Sequence, residues 1–251
     1  MSARTVGVGD DSRRAELAAN LAAVSARLDV AVADAGREPG TVSLLVVTKF
    51  FPAADVLRLI DLGCTEFGES REPEAGRKVA EVVAALDDSA SRPTFDMIGS
   101  VQRKKARSVA RWARTVHSVD GAPLIEALGR GVTAALDAGE RENALDVLLQ
   151  VSLDDDPGRG GVPANGLPEL ADQVGTAAGL RLAGLMAIAP QHGDREMWMA
   201  KLARTQADFV MRYPLATTLS AGMSGDLDVA VKFGSTCVRV GTAILGARPI
   251  P

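Results

Sequence analysis

A single (β/α)8 barrel with an additional N-terminal helix is the fold this sequence predicts, and three observations predict it. Eight apolar runs of strand length are spread along 251 residues. Amphipathic helical segments separate most of them, which is the pattern of a parallel sheet with helical crossovers. A hydrophobic fraction of 47% supplies one large core at this chain length. A doubly wound open sheet uses the same alternation and remains the structural alternative. Residues 12–251 are expected to form the domain, with residues 1–11 a flexible N-terminus.

The first helix, over residues 12–35, carries Leu17, Leu21, Val24 and Leu28 on one face, and the break between Gly36 and Gly40 ends it. Strands follow at 44–48, 64–67, 95–98, 115–119, 146–151, 182–187, 216–219 and 236–240. Each is a short apolar run of the kind a fully covered parallel sheet uses. Helices at 53–62, 71–86, 102–112, 123–136, 167–178 and 195–211, with a shorter one near 227–232, fill the gaps between them. The repetition is architectural, without sequence identity between units.

The net charge of −4 gives no general reason to expect a polyanionic partner. Cys64 and Cys237 sit in apolar runs, and buried reduced thiols fit a cytoplasmic protein better than a disulfide scaffold. The N-terminal residues lack an apolar signal core, and no run approaches a membrane span. A soluble, cytoplasmic protein is expected.

The run ending in Val47-Thr48-Lys49 delivers one amine at the C-terminal end of the first strand, where barrel sites lie. Burial there, ahead of Phe50 and Phe51, would favour the neutral, nucleophilic amine and hence carbonyl chemistry. A strand-end lysine that merely reaches solvent is the commoner case. Two glycine-rich polar loops follow the seventh and eighth strands: Ser220-Ala221-Gly222-Met223-Ser224-Gly225-Asp226 and Gly241-Thr242-Ala243-Ile244-Leu245-Gly246. Small residues let backbone N–H groups approach an anion, Ser224 and Thr242 add hydroxyls, and a following helix start adds partial positive charge. Either loop alone is more often a tight turn; their joint position beside Lys49 carries the signal. Arg239 alternates with Val238 and Val240 and so points into the barrel, toward either a ligand anion or a carboxylate such as Glu66 or Glu69. A phosphorylated aldehyde would use the amine, the loops and the guanidinium together.

These residues carry a family resemblance. The runs 44–49, Phe67-Gly68-Glu69, Ile98-Gly99, Gln102, 182–190 and 219–224 take part, as does the long motif from Gly234 to Arg248. Together they resemble the YggS/PROSC family of pyridoxal phosphate homeostasis proteins over nearly the whole chain. The resemblance implies a barrel of the alanine-racemase N-terminal type, with pyridoxal 5′-phosphate (PLP) bound as an internal aldimine to Lys49. It implies phosphate contacts from Ser224, Gly241 and Thr242, and Arg239 near the pyridine nitrogen. Adding the neighbouring Ser70 and Met223, the expected cofactor-binding set is Lys49, Ser70, Met223, Ser224, Arg239, Gly241 and Thr242. No catalytic residue and no metal site are expected.

An arginine beside the ring nitrogen disfavours pyridinium formation and weakens the cofactor as an electron sink. Acid–base groups are also scarce: Tyr213 is read as packing or capping a helix end, and His117 and His192 as structural or solvated. The racemases resembling this barrel take an opposing base from a second domain; only ten residues follow Gly241 here, so none is expected. Two departures from the family pattern stand out. Ser70 replaces the usual asparagine after Phe-Gly-Glu, and Asp96 replaces the histidine of the usual His-Phe-Ile-Gly run.

The leading expectation is a monomeric carrier that limits free PLP and passes it to PLP-dependent enzymes, with no nucleic-acid or membrane partner. A small racemase, decarboxylase or lyase using the same linkage is the competing enzyme reading. A basic stripe of Arg103, Lys104, Lys105, Arg107, Arg111 and Arg114, with Trp112, is read as a solvated helix face over a nucleic-acid site. The Asp154-Asp155-Asp156 loop is read as a solvated turn, and Gly7 and Gly9 precede no strand and form no dinucleotide fingerprint.

Overall fold

In the computed structural model, residues 8–87, 92–156, 158–191 and 193–248 are described. Eight parallel strands close into a barrel in strict chain order: β1 (Ser43–Val47), β2 (Glu66–Glu69), β3 (Thr94–Met97), β4 (Thr115–Val119), β5 (Leu145–Val151), β6 (Leu180–Ala187), β7 (Thr218–Ser220) and β8 (Cys237–Val240). Helix α1 (Val8–Asp34) precedes the barrel. Around it run α2 (Ala53–Asp61), α3 (Glu74–Ala85), α4 (Ala106–Trp112), α5 (Ala122–Asp137), α6 (Leu167–Thr176), α7 (Arg195–Arg212), α8 (Leu227–Lys232) and the one-turn α9 (Thr242–Leu245).

The open-sheet alternative is excluded by the last pairing. β8 returns to β1 in parallel register, Ser43 opposite Cys237, Leu44 opposite Val238, Leu45 opposite Arg239 and Val46 opposite Val240. That edge-to-edge closure satisfies the ladder groups of both outer strands, which an open sheet would leave exposed. The register shifts between Val147 and Leu148 where β5 meets β6. Beside this irregularity Gly184 has φ +152°, and a Cβ there would lie 1.9 Å from the Thr218 carbonyl oxygen, so only glycine fits.

Two apolar clusters fill the space between sheet and helices. One joins β4, β5 and β6 to α4, α5, α6 and α7 through residues such as Val116, Leu128, Leu149 and Leu185. The other packs α1, α2 and α3 on β1, β2 and β8, with Leu17, Val24, Leu28, Leu59, Phe67, Val238 and Ile244 buried. The inner axis of the barrel is polar, with Asp96, His117, Ser220 and Arg239 all buried. Cys237 is buried and Cys64 half-buried, and both are free thiols. Burial pushes the Cys64 thiol up to about 11. No helix among the described residues is long and apolar enough to cross a membrane.

Several boundaries differ from expectation for local reasons. Helix α1 starts at Val8, before the expected start at Ser12, so residues 8–11 are helical. Strand β2 begins at Glu66, because Gly63 at φ +93° and the turn around it occupy the residues before it. Helix α3 begins after Pro73, which lacks the N–H an internal helical residue donates. The expected helix over 102–112 is a 3-10 turn at Arg103–Lys105 followed by α4. The basic stripe is therefore interrupted: Arg111 pairs with Glu140, while Arg114 leaves the helix face to pair with Asp96 and Glu66. Gly7 and His192 lie outside the described residues.

Leu17 is fully buried against the barrel, so α1 is part of the core. Leu17→Ala is expected to lower the unfolding free energy by about 2–5 kcal/mol in urea denaturation; a change under about 0.5 kcal/mol would show that α1 packs only loosely.

Candidate functional site

At the end of β1 the chain turns abruptly, with Phe51 N–H donating to the Thr48 carbonyl at 3.1 Å. Phe50, the third residue of that turn, takes φ +73°, a conformation that bulky L residues rarely adopt. The turn is pinned from beneath. Lys78 on α3 donates to the Thr48 carbonyl at 2.9 Å and to Glu69 Oε1 at 2.7 Å, and Thr48 Oγ1 donates to the same carboxylate at 2.7 Å. Thr48 and Glu69 are buried, so this cluster fixes the β1 and β2 ends in a low-dielectric setting. Lys78 has no counterpart among the expected site residues. Its signal lay in an acid and a lysine nine residues apart, legible only once β2 and α3 are folded together.

The burial expected of Lys49 is not found: its side chain is exposed beyond the strand end. The amine is open to a ligand entering the mouth. Its Nζ lies 5.7 Å from the centroid of the Phe50 ring, and the guanidinium carbons of Arg71 and Arg248 lie 6.0 and 3.8 Å from it. Three cations from three segments thus gather around one exposed aromatic ring beside the β1 end, which makes this rim electropositive.

The two glycine-rich loops are at the same end of the barrel, because β7 precedes β8 and β8 pairs with β1. Gly241 approaches β1 so closely that a Cβ would meet the Val47 carbonyl oxygen at 3.0 Å. Met223 N–H donates to Asp226 Oδ1 at 2.6 Å, and Asp226 N–H returns a bond to the Met223 carbonyl at 3.1 Å, folding the first loop on itself. Among the described residues, the backbone N–H groups of Ser224, Gly225, Thr242 and Ala243 make no intramolecular hydrogen bond. Thr242 is exposed and Ser224 partly so, leaving their hydroxyls accessible. These groups can accept an anion. Helix α9 is a single turn, so its partial charge adds less than a full helix would. Ser70, at the end of β2, is partly buried, and its carbonyl oxygen occupies the space a Cβ on Gly99 would need, at 2.2 Å.

Arg239 pairs with neither Glu66 nor Glu69. Its Nη1 donates to Ser220 Oγ at 2.5 Å and its Nη2 to the Ala187 carbonyl at 2.9 Å. No carboxylate among the described residues forms an ion pair with it, although it is only 5% exposed. Burial pulls the guanidinium down from its ordinary value, the mark of a cation without a full counter-charge. Glu66 instead pairs with Arg114 at 2.8 Å at the opposite end of the barrel.

Ser220 continues a buried chain. Its Oγ lies 3.0 Å from His117 Nδ1, and His117 Nε2 lies 3.2 Å from Asp96 Oδ2, which Arg114 also holds at 2.6 Å. One tautomer satisfies every link: Arg239 donates to Ser220, Ser220 to Nδ1, and Nε2–H to the Asp96 carboxylate. Burial favours protonating Asp96, but the hydrogen bonds from His117 and Arg114 prevail and hold it below the usual carboxylate range. Burial lowers His117 despite its bond to Asp96, so the imidazole is neutral. Both ring nitrogens of His117 are thus engaged, and Asp96, one of the two departures from the family pattern, supplies one of its partners. The single O–H of Tyr213, at the end of α7, has Asp172 Oδ1 at 2.7 Å and the Pro168 carbonyl at 3.0 Å as acceptors, a packing and capping role.

The model of the alanine racemase N-terminal domain matches residues 19–249. The pyridoxal phosphate homeostasis protein of Mycobacterium tuberculosis is 47% identical over 243 residues, 94% of both chains. That of Corynebacterium glutamicum is 44% identical over 228 residues, 90% of this chain and all of the other. Among solved structures, PipY of Synechococcus elongatus, a COG0325 family member with PLP bound, superimposes with a TM-score of 0.73. It is 31% identical over 92% of this chain and 100% of its own.

His117 titrates more readily in the unfolded chain than in the fold, so acid favours unfolding: the stability present above the unfolded imidazole value, about 6.5, declines as pH falls below it. Asp96 adds a loss of the same sign at lower pH. In urea midpoints taken between about pH 7.5 and 5, His117→Gln is expected to flatten the slope; a slope equal to that of the parent chain would contradict the assignment.

Proposed function

This chain belongs to the pyridoxal phosphate homeostasis protein family, and we propose that it binds PLP covalently as a Schiff base on Lys49. In this reading it keeps the reactive aldehyde out of free solution and passes the cofactor to dependent enzymes, acting as a monomer without robust turnover. The observation that carries the reading is the β1–β8 register. It sets Lys49, three residues beyond Val46, beside Gly241 and Thr242, which directly follow Val240. The PLP bound to PipY, a relative covering the whole barrel, supports the choice of ligand.

The residues present fit that ligand. Exposed Lys49 would be the attachment point, with Ser70 directly after β2 and Met223 in the loop after β7. The loops carrying Ser224, Gly241 and Thr242 would hold the phosphate with their backbone N–H groups and the two hydroxyls. Buried Arg239, with no carboxylate ion-paired to it among the described residues, would be the group beside the ring nitrogen. When bound, the cofactor supplies an aldehyde and a ring able to withdraw electrons. Arg239 opposes that withdrawal: its fixed charge resists a proton on the ring nitrogen. Its bonds to Ser220 and Ala187 hold it in a donor orientation. His117 is buried in this chain with its ring nitrogens engaged, and Tyr213 is committed to Asp172, so neither is free to move a substrate proton.

Borohydride reduction of PLP-loaded protein followed by peptide mapping is expected to mark Lys49. Lys49→Ala is expected to abolish the adduct while keeping the thermal midpoint, because an exposed strand-end side chain contributes little to packing. An undiminished adduct on another lysine would reject the assignment.

The absence of turnover has its own test. In deuterium oxide with a panel of L- and D-amino acids, α-proton exchange is expected to stay at the rate given by free PLP. Sustained exchange above that rate would replace the carrier with an enzyme.

A further inference from the structure

A helix outside the barrel holds both anion-facing loops. Arg13, Asn20 and Arg27 of α1 are spaced by seven residues, two helical turns, and so share one face. Arg27 Nη1 donates to the Ser224 carbonyl at 2.6 Å, while its Nε meets both oxygens of Asp228, at the start of α8, at 2.9 and 3.1 Å. Asn20 Nδ2 donates to the Ile244 carbonyl at 3.0 Å, and Arg13 Nη2 to the Leu245 carbonyl at 3.0 Å. Arg13 is itself held by Asp55 of α2 at 2.9 Å. Beside this stripe Leu17, Val24 and Leu28 pack into one cluster with Leu227, Val231, Ile244 and Leu245, which fixes the helix against the same two loops.

The direction of these bonds matters. In a trans peptide the C=O and the N–H point opposite ways. Anchoring the Ser224 carbonyl on Arg27 therefore turns the Gly225 N–H away from α1, and that N–H has no intramolecular acceptor among the described residues. At α9 the last carbonyls of a one-turn helix would otherwise be orphaned. Asn20 and Arg13 satisfy them, which fixes the turn with its free N–H end, at Thr242 and Ala243, directed away from α1. In both loops α1 takes the acceptors and leaves the donors free.

We propose that Asn20 and Arg27 are positioning residues for a phosphate monoester, holding the two donor loops in register from behind. The inference rests on the reading of those loops as the PLP phosphate site. Nothing in it requires α1 to touch the ligand.

The test compares PLP with pyridoxal, which has the same aldehyde and ring but no phosphate, in titrations followed by the absorbance of the protein-bound chromophore. In Asn20→Ala and in Arg27→Ala, the affinity for PLP is expected to fall about tenfold while that for pyridoxal is unchanged. Arg27→Lys, which keeps the charge but not the fork, is expected to recover part of the loss. Hydrogen exchange of the variants without ligand is expected to rise at residues 223–226 and 242–246. Equal weakening toward both ligands, an unchanged PLP affinity, or unaltered exchange in both loops would each overturn the brace. Parent protein that binds pyridoxal as tightly as PLP would overturn the underlying phosphate reading, and the brace with it.

Discussion

The pairing of β8 with β1 is the constraint on which the site depends. The first and last strands are nearly two hundred residues apart in sequence, yet their register, from Ser43 opposite Cys237 to Val46 opposite Val240, fixes Lys49 and Gly241 at one rim. The closeness is paid for at Gly241, where any side chain would press on the Val47 carbonyl. Loop-closure entropy for so distant a contact is met by the whole barrel at once, since closure leaves no strand edge and buries β1 and β8 in the cluster under α1. The strand-end amine and the two glycine-rich loops are therefore positioned by the closure of the barrel.

Inside that frame the charges are segregated. Asp96, Glu66 and Arg114 form an ion-paired group toward the N-terminal opening, around a cavity of about 380 Å³ that His117 and Cys237 also line. Toward the mouth lies Arg239, bound only to a hydroxyl and a carbonyl. Ser220 and neutral His117 join the two ends, and every link has one allowed direction. A buried polar chain of this kind costs desolvation and returns specificity only when every member is satisfied. Here Arg239, buried with no carboxylate ion-paired to it among the described residues, is the member of the chain toward the mouth. Near it, the rim cations Lys49, Arg71 and Arg248 gather around Phe50. An anionic ligand is thus favoured at the mouth by both the buried and the exposed charges.

The barrel was legible because its signals are local. Each of the eight apolar runs overlaps a strand, the second and seventh by only two residues, and β4 falls on the expected residues 115–119. The loops after the last two strands could be picked out by their small residues and by the rule that barrel sites lie at strand C-terminal ends. What was not legible depends on distance. Nothing in the sequence pairs Arg27 with Ser224, Lys78 with Glu69, or His117 with Asp96, because each partnership exists only once the elements carrying the two residues are packed together. Arg239 could be aimed inward by strand alternation, but its partner could not be chosen, and Ser220 took the place expected of Glu66 or Glu69. Lys49 was expected to be buried because the strand before it is; the sharp turn at Phe50 carries it out of the core.

The most direct test of the central claim is a crystal structure of the full chain grown with PLP. Continuous density from Lys49 Nζ into the cofactor is expected, with the phosphate within hydrogen-bond distance of the loops carrying Ser224 and Thr242. Density joined to a different lysine, or a phosphate seated away from the β7 and β8 ends, would contradict it.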